Sequence, residues 1–121
     1  MLEIRTAEFR PVTQWKTPTG YALEFTTEGN LELRDPRGNL VWESQTGGKG
    51  ADMLAMQADG NLVIYRETTP VWATNTERNP DAVLVMLDSG DIQVWAPDGR
   101  RLWSAGSKEV EIPAAKSRNG A

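Results

Sequence analysis

From Leu54 to Tyr65 apolar and polar residues alternate, and a period of two is the mark of a strand with two unlike faces. Leu54, Met56, Leu62 and Ile64 share one parity and form a core face. Gln57, Asp59, Asn61, Val63 and Tyr65 share the other. Between the two runs, Ala58-Asp59-Gly60 is a turn signal, with glycine able to supply a positive φ. A three-residue loop sets Gln57 opposite Asn61 and Met56 opposite Leu62, which keeps the polar groups on one side. A two-residue loop would scramble the faces, so the pattern itself predicts the register.

The same pattern occurs three times. Leu23 to Leu33 leads to Trp42, Leu54 to Ile64 leads to Trp72, and Leu84 to Val94 leads to Trp103. Gly29, Gly60 and Gly90 are spaced by 31 and 30 residues, and the three tryptophans by 30 and 31. A period kept at two kinds of landmark defines an internal repeat. Each unit reads as strand, tight turn, strand, second turn, strand. The second turns are Pro36-Arg37-Gly38-Asn39, Glu67-Thr68-Thr69-Pro70 and Pro97-Asp98-Gly99-Arg100, all rich in turn formers. Sustained 3.6-residue periodicity is absent, so the pattern predicts an all-β chain without helix. Three units that each bury one face need a shared centre, and Trp42, Trp72 and Trp103 are its expected fillers. Ahead of the first repeat, Trp15 to Tyr21 reads as a turn. Beyond the third, Val110-Glu111-Ile112 lies in an alternating run that Pro113 stops, and reads as a short strand that needs a partner.

Length and composition narrow the classes. At 121 residues the expectation is one domain over 1–113, with repeats at about 21–46, 52–77 and 82–107 and a flexible tail at 114–121. A net charge of −4 argues against a nucleic-acid footprint; Lys116 and Arg118 read as part of a solvated tail. With no run of roughly 18 apolar residues and no signal-like start, the expectation is no membrane span. The expectation is then that the chain stays inside the cell, leaves by a non-standard route, or begins here at a start other than the native one. No histidine and no cysteine occur. That rules out His-based triads, thiol nucleophiles and disulfides. Asp59 has no acidic partner in its strand pair for carboxylate-pair chemistry. Asp59-Gly60-Asn61 lacks the remaining positions of a calcium loop. Neither catalysis, nor a metal, nor a cofactor is expected.

The candidate chemistry lies on the outer parity. In place of Gln57, Asp59, Asn61, Val63 and Tyr65, the first repeat has Thr26, Glu28, Asn30, Glu32 and Arg34. The third has Leu87, Ser89, Asp91, Gln93 and Trp95. The inner parity is retained in all three repeats, so the outer face is free to differ. Two amides, a carboxylate and a phenol offer donors and acceptors in one patch, which suits adjacent hydroxyls. A solvated strand face is the bland reading of the same residues.

Gln57-x-Asp59-x-Asn61-x-Val63-x-Tyr65 resembles the mannose-binding motif of the bulb-type (monocot mannose-binding) lectin family. Trp72-Ala73-Thr74-Asn75-Thr76 resembles the stretch that follows it. The resemblance covers roughly Trp15 to Ser107. It implies a β-prism of type II: three four-stranded sheets around a pseudo-three-fold axis. It further implies that Gln57, Asp59, Asn61 and Tyr65 hydrogen-bond mannose hydroxyls and that Val63 packs on the ring. Asn30 and Asp91 are then remnants of degenerate sites. Gly60 stands where plant members carry a cysteine, which suggests a non-plant, cysteine-free member. The implied partners are mannose or mannose-rich glycans, and the implied assembly is a homodimer, with Val110-Glu111-Ile112 as an exchanged strand or as one that closes its own sheet. Two alternatives stay open: an interaction or assembly module that has lost sugar binding, and an antibacterial lectin-like toxin.

Overall fold

Twelve short strands form three four-stranded antiparallel sheets in a computed structural model that describes residues 1–106. The expected strand at Val110-Glu111-Ile112 and the tail at 114–121 lie outside the described residues. The first sheet joins β3 (Thr13–Lys16), β4 (Ala22–Phe25), β5 (Leu31–Arg34) and β6 (Leu40–Glu43), in that order. The second joins β2 (Ala7–Phe9), β7 (Met53–Met56), β8 (Leu62–Arg66) and β9 (Thr69–Ala73). The third joins β1 (Leu2–Ile4), β10 (Val83–Met86), β11 (Ile92–Trp95) and β12 (Arg101–Ser104). The repeats predict an all-β chain of three units, and the three sheets are the β-prism that the family resemblance implies.

The fourth strand of each sheet has a source that the repeats do not reveal. The first 16 residues visit all three sheets in turn. β1 pairs with β10, β2 with β7 and β3 with β4. Trp15 and Lys16 therefore close a strand rather than a turn, and the turn proper spans 17–21, where Gly20 N–H donates to Thr17 O. The β8–β9 connection is also tighter than the sequence suggests. Thr69 and Pro70 belong to β9, opposite Arg66 and Tyr65, and Glu67 supplies the left-handed turn residue at φ 56°. Pro70 is tolerated because β9 is an edge strand.

The predicted hairpin register is the observed one: Met56 faces Leu62, Leu54 faces Ile64, and Gln57 N–H donates to Asn61 O at 2.9 Å. Inner-parity residues from all three sheets meet in one core. Leu23, Leu33, Leu54, Ile64, Leu84 and Val94 are each no more than 1 % exposed. Trp42, Trp72 and Trp103 meet edge to face in a triangle with centroid separations of 5.7–5.9 Å. They are partly buried and pack against the buried core, so that one indole from each sheet meets the other two between the sheets. The indoles thus tie β6, β9 and β12 together, and the aliphatic residues with Phe25 are the fully buried ones.

Turn glycines lock each hairpin to another part of the chain. Gly60 has φ +95°, and a Cβ there would lie 2.1 Å from Asn79 O. At Gly29 the corresponding obstacle is Ala51 O, at 2.5 Å. Each glycine is needed for its backbone conformation and again for the close approach of a neighbouring segment. Gly60→Ala is therefore expected to destabilise the fold by about 3 kcal/mol, read as a lower urea midpoint. An unchanged midpoint would show that the 75–81 connection yields freely.

Candidate functional site

The second sheet presents a cleft of about 500 Å³ on its outer side. Gln57, Asp59 and Tyr65 line it, together with Glu8 of β2 and Met53 and Ala55 of β7. Alternation brings Gln57 and Tyr65 to this face. The β-bulge between Ile64 and Tyr65 aims the phenol, a common use of bulges. Asn61 and Val63 do not line the cleft. Val63 is 3 % exposed and pairs with Ala55, one of the apolar walls. Glu8, Met53 and Ala55 were not singled out from the sequence. Met53 and Ala55 could have been found by following β7 on the outer parity. Glu8 could not, because three-residue β2 carries no readable period.

Hydrogen bonding in the patch is incomplete, and what is left over matters. Gln57 Nε2 donates to the Tyr65 hydroxyl. Asp59 Oδ1 accepts from Asn61 N–H at 3.0 Å. Asn61 Oδ1 accepts from Thr76 N–H at 3.1 Å and from Thr74 Oγ1 at 3.2 Å. Among the described residues, Gln57 Oε1, Asp59 Oδ2, the Tyr65 hydroxyl proton and Asn61 Nδ2 have no partner. That leaves two acceptors and two donors, on half-buried or exposed side chains.

On the equivalent faces the side chains at the positions of Asn61, Val63 and Tyr65 are paired. On the first sheet, Asn30 Nδ2 donates to both Glu32 (3.0 Å) and Glu43 (2.9 Å), and Arg34 pairs with Glu32 at 3.0 Å. On the third, buried Asp91 accepts from Gln93 Nε2 at 3.0 Å and from Ser104 Oγ. Gln93 Oε1 in turn accepts from Trp95 Nε1 at 2.7 Å. On both faces these three positions bond one another, and the exposed Glu28 and Ser89 stand at the position of Asp59.

Position 61 and its equivalents also have a structural duty. Asn30 Oδ1 accepts from Thr46 N–H at 3.0 Å and Ser44 Oγ at 3.2 Å, as Asn61 Oδ1 does from Thr76 and Thr74. In both sheets a threonine hydroxyl then reaches the turn glycine carbonyl at 2.6 Å. Ser104 on Asp91 makes the third version of this clasp. Retention of Asn30 and Asp91 thus has a reason in folding.

The carboxylates with displaced pKa values lie in hairpin turns away from the cleft. Asn39 N–H, assisted by the Asn39 side chain and Arg37 N–H, holds Asp35 below the usual range; Arg100 does so for Asp98. A lowered folded value means that this turn stability is complete above the ordinary carboxylate range. It is lost only as pH falls through the folded value.

Relatives point the same way. No protein-family model matches the chain. A mannose-specific lectin of Aloe arborescens is 41 % identical over 54 residues, 43 % of this chain and 48 % of the relative; the match spans about half that relative's length. Among solved structures, a monomeric monocot mannose-binding lectin of Gastrodia elata superposes with a TM-score of 0.79 at 27 % identity, over 87 % of this chain and 96 % of that one. A Marasmius oreades lectin gives 0.80 at 26 % identity, over 90 % and 93 %.

Clasp and cleft are separable by stability. Asn61→Ala orphans Thr76 N–H and is expected to cost about 2 kcal/mol, whereas Asp59→Ala removes one exposed bond and costs less than about 1 kcal/mol. Urea unfolding of both variants checks this. Equal, small losses would mean that the Asn61 clasp contributes nothing to the fold.

Proposed function

We propose that this chain, a member of the bulb-type lectin family by sequence and fold, binds mannose or mannose-containing glycans through its second repeat. The observation that carries the reading is the uneven hydrogen-bond inventory. The second sheet leaves two donors and two acceptors open, whereas on the other two sheets the side chains at the positions of Asn61, Val63 and Tyr65 pair with one another. Neighbouring sugar hydroxyls each donate and accept, so an unsatisfied mixed set is what they require. Gln57 Oε1 and Asp59 Oδ2 accept sugar hydroxyl protons; Asn61 Nδ2 and the Tyr65 hydroxyl donate. Val63 is covered, and its cross-strand partner Ala55 together with Met53 supplies the apolar wall that the motif assigns to Val63.

Magnitudes make the site a weak one. Three or four hydrogen bonds of about 0.5–1.5 kcal/mol net each, set against the cost of association, give a monosaccharide dissociation constant on the order of 1 mM. Useful retention on a cell surface then requires several sites acting together, and assembly of two or more chains belongs to the proposal. The strand first considered for that role lies outside the described residues. Nothing in the reading uses a catalytic group or a metal.

Retention on immobilised mannose tests the site. Asp59→Ala is expected to lose it, with the circular dichroism spectrum intact, and Glu32→Ala on the first sheet is expected to keep it. Wild-type retention by Asp59→Ala would overturn the assignment. Failure of the wild-type chain to bind at all would favour a prism that serves as an interaction module.

A further inference from the structure

We propose that the cleft on the second sheet is one end of a continuous groove for a neutral, linear oligosaccharide, with Trp95 on the third sheet as the platform at the other end. The inference rests on the mannose reading of the first cleft. Two smaller clefts continue from it. The second, of about 380 Å³, shares Thr6 with the first. The third, of about 280 Å³, shares Arg5, Asp81 and Val83 with the second and is lined by Trp95. Arg5 and Thr6 are the link from β1 to β2, where the chain crosses between sheets. The groove therefore follows a seam of the prism that the repeats alone do not define.

The seam is held rigidly. Asn79 N–H donates to Asp59 O at 3.0 Å, and Asp81 N–H donates to Ala58 O at 3.0 Å. The connection before β10 is thus fastened to the hairpin tip that carries Asp59. At the far end, Trp95 stands at the bulge that matches the Tyr65 bulge. Its Nε1 is fixed to Gln93 Oε1 at 2.7 Å. A half-buried indole whose orientation is set in advance loses little freedom on meeting a ligand. With its only N–H spent on Gln93, the ring offers a face rather than a hydrogen bond.

The walls identify the occupant. Along the way stand a hydroxyl (Thr6), a guanidinium (Arg5) and a carboxylate (Asp81), and then the indole. A sugar chain presents hydroxyl edges to the first three and an apolar C–H face to the last. Glu8, Asp59, Glu67 and Asp81, with Arg5 already paired to Glu3 at 3.1 Å, disfavour a polyanion and leave a neutral glycan.

Titration of the full chain with methyl α-mannoside and with α-linked mannose oligomers, from the disaccharide to the pentasaccharide, tests this by NMR. Affinity is expected to rise roughly tenfold by the length that reaches Trp95. The Trp95 indole N–H is expected to shift with long oligomers and to stay still with the monosaccharide. In Trp95→Ala the gain with length is expected to vanish while methyl α-mannoside binds as before. Because the indole shift is read on the unaltered chain, the test survives a poorly folding variant. Equal affinity at every length, or a Trp95 signal unmoved by the pentasaccharide, overturns the groove and leaves the monosaccharide site standing. No shift from Gln57 to Tyr65 with any of these sugars overturns both.

Discussion

No sheet of four short strands can bury its own inner face, so each of the three depends on the other two. Everything regular in the chain follows from that dependence. The inner parity must be large and apolar in every repeat, because all three inner faces share one core. Tight approach between a hairpin tip and another segment excludes a side chain at Gly29 and Gly60. The tryptophan triangle joins the third strand of each repeat and packs against the core. Outer faces carry no such demand beyond the position of Asn61, and the rest of them varies freely.

That division explains what could be read in advance. Period-two alternation, three matching landmarks and turn chemistry fix the hairpin register and the sheets of the repeats, since each feature reflects local geometry or core burial. The fourth strand of each sheet was not legible. Leu2-Glu3-Ile4 and Ala7-Glu8-Phe9 are too short to show a period, and their pairing with β10 and β7 depends on contacts more than 40 residues away in the chain. The site was legible in part for the same reason. Alternation puts Gln57 and Tyr65 on one face. It cannot show that Glu8 joins them, that Val63 is nearly covered, or that Asn61 Oδ1 is occupied by Thr74 and Thr76. Side-chain hydrogen bonds between strand starts and later loops have no spacing signature.

The clasp separates two reasons for keeping a polar residue. Asn30, Asn61 and Asp91 each tie the start of a strand to the segment after the next one, so folding alone accounts for all three. Specificity, on this account, lies in what remains after folding is satisfied. On the first sheet Glu32, Glu43 and Arg34 consume the remainder; on the third, Gln93, Ser104 and Trp95 do. On the second, a mixed set of donors and acceptors is left beside a cleft with apolar walls. A sugar site is then a face on which the scaffold's own hydrogen bonds are unfinished. The same scaffold can lose such a site by a few substitutions that complete the network, with no change to the core.

A crystal structure of the chain with methyl α-mannoside bound would test this most directly, because it shows where sugar sits on three faces of one fold. The account predicts one sugar per chain, held by Gln57, Asp59, Asn61 and Tyr65, with the faces around Glu32 and Gln93 empty. Methyl α-mannoside hydrogen-bonded to the first or third sheet, with the Asn30 or Asp91 network intact beneath it, would contradict the central claim that side chains already paired with one another cannot anchor a monosaccharide.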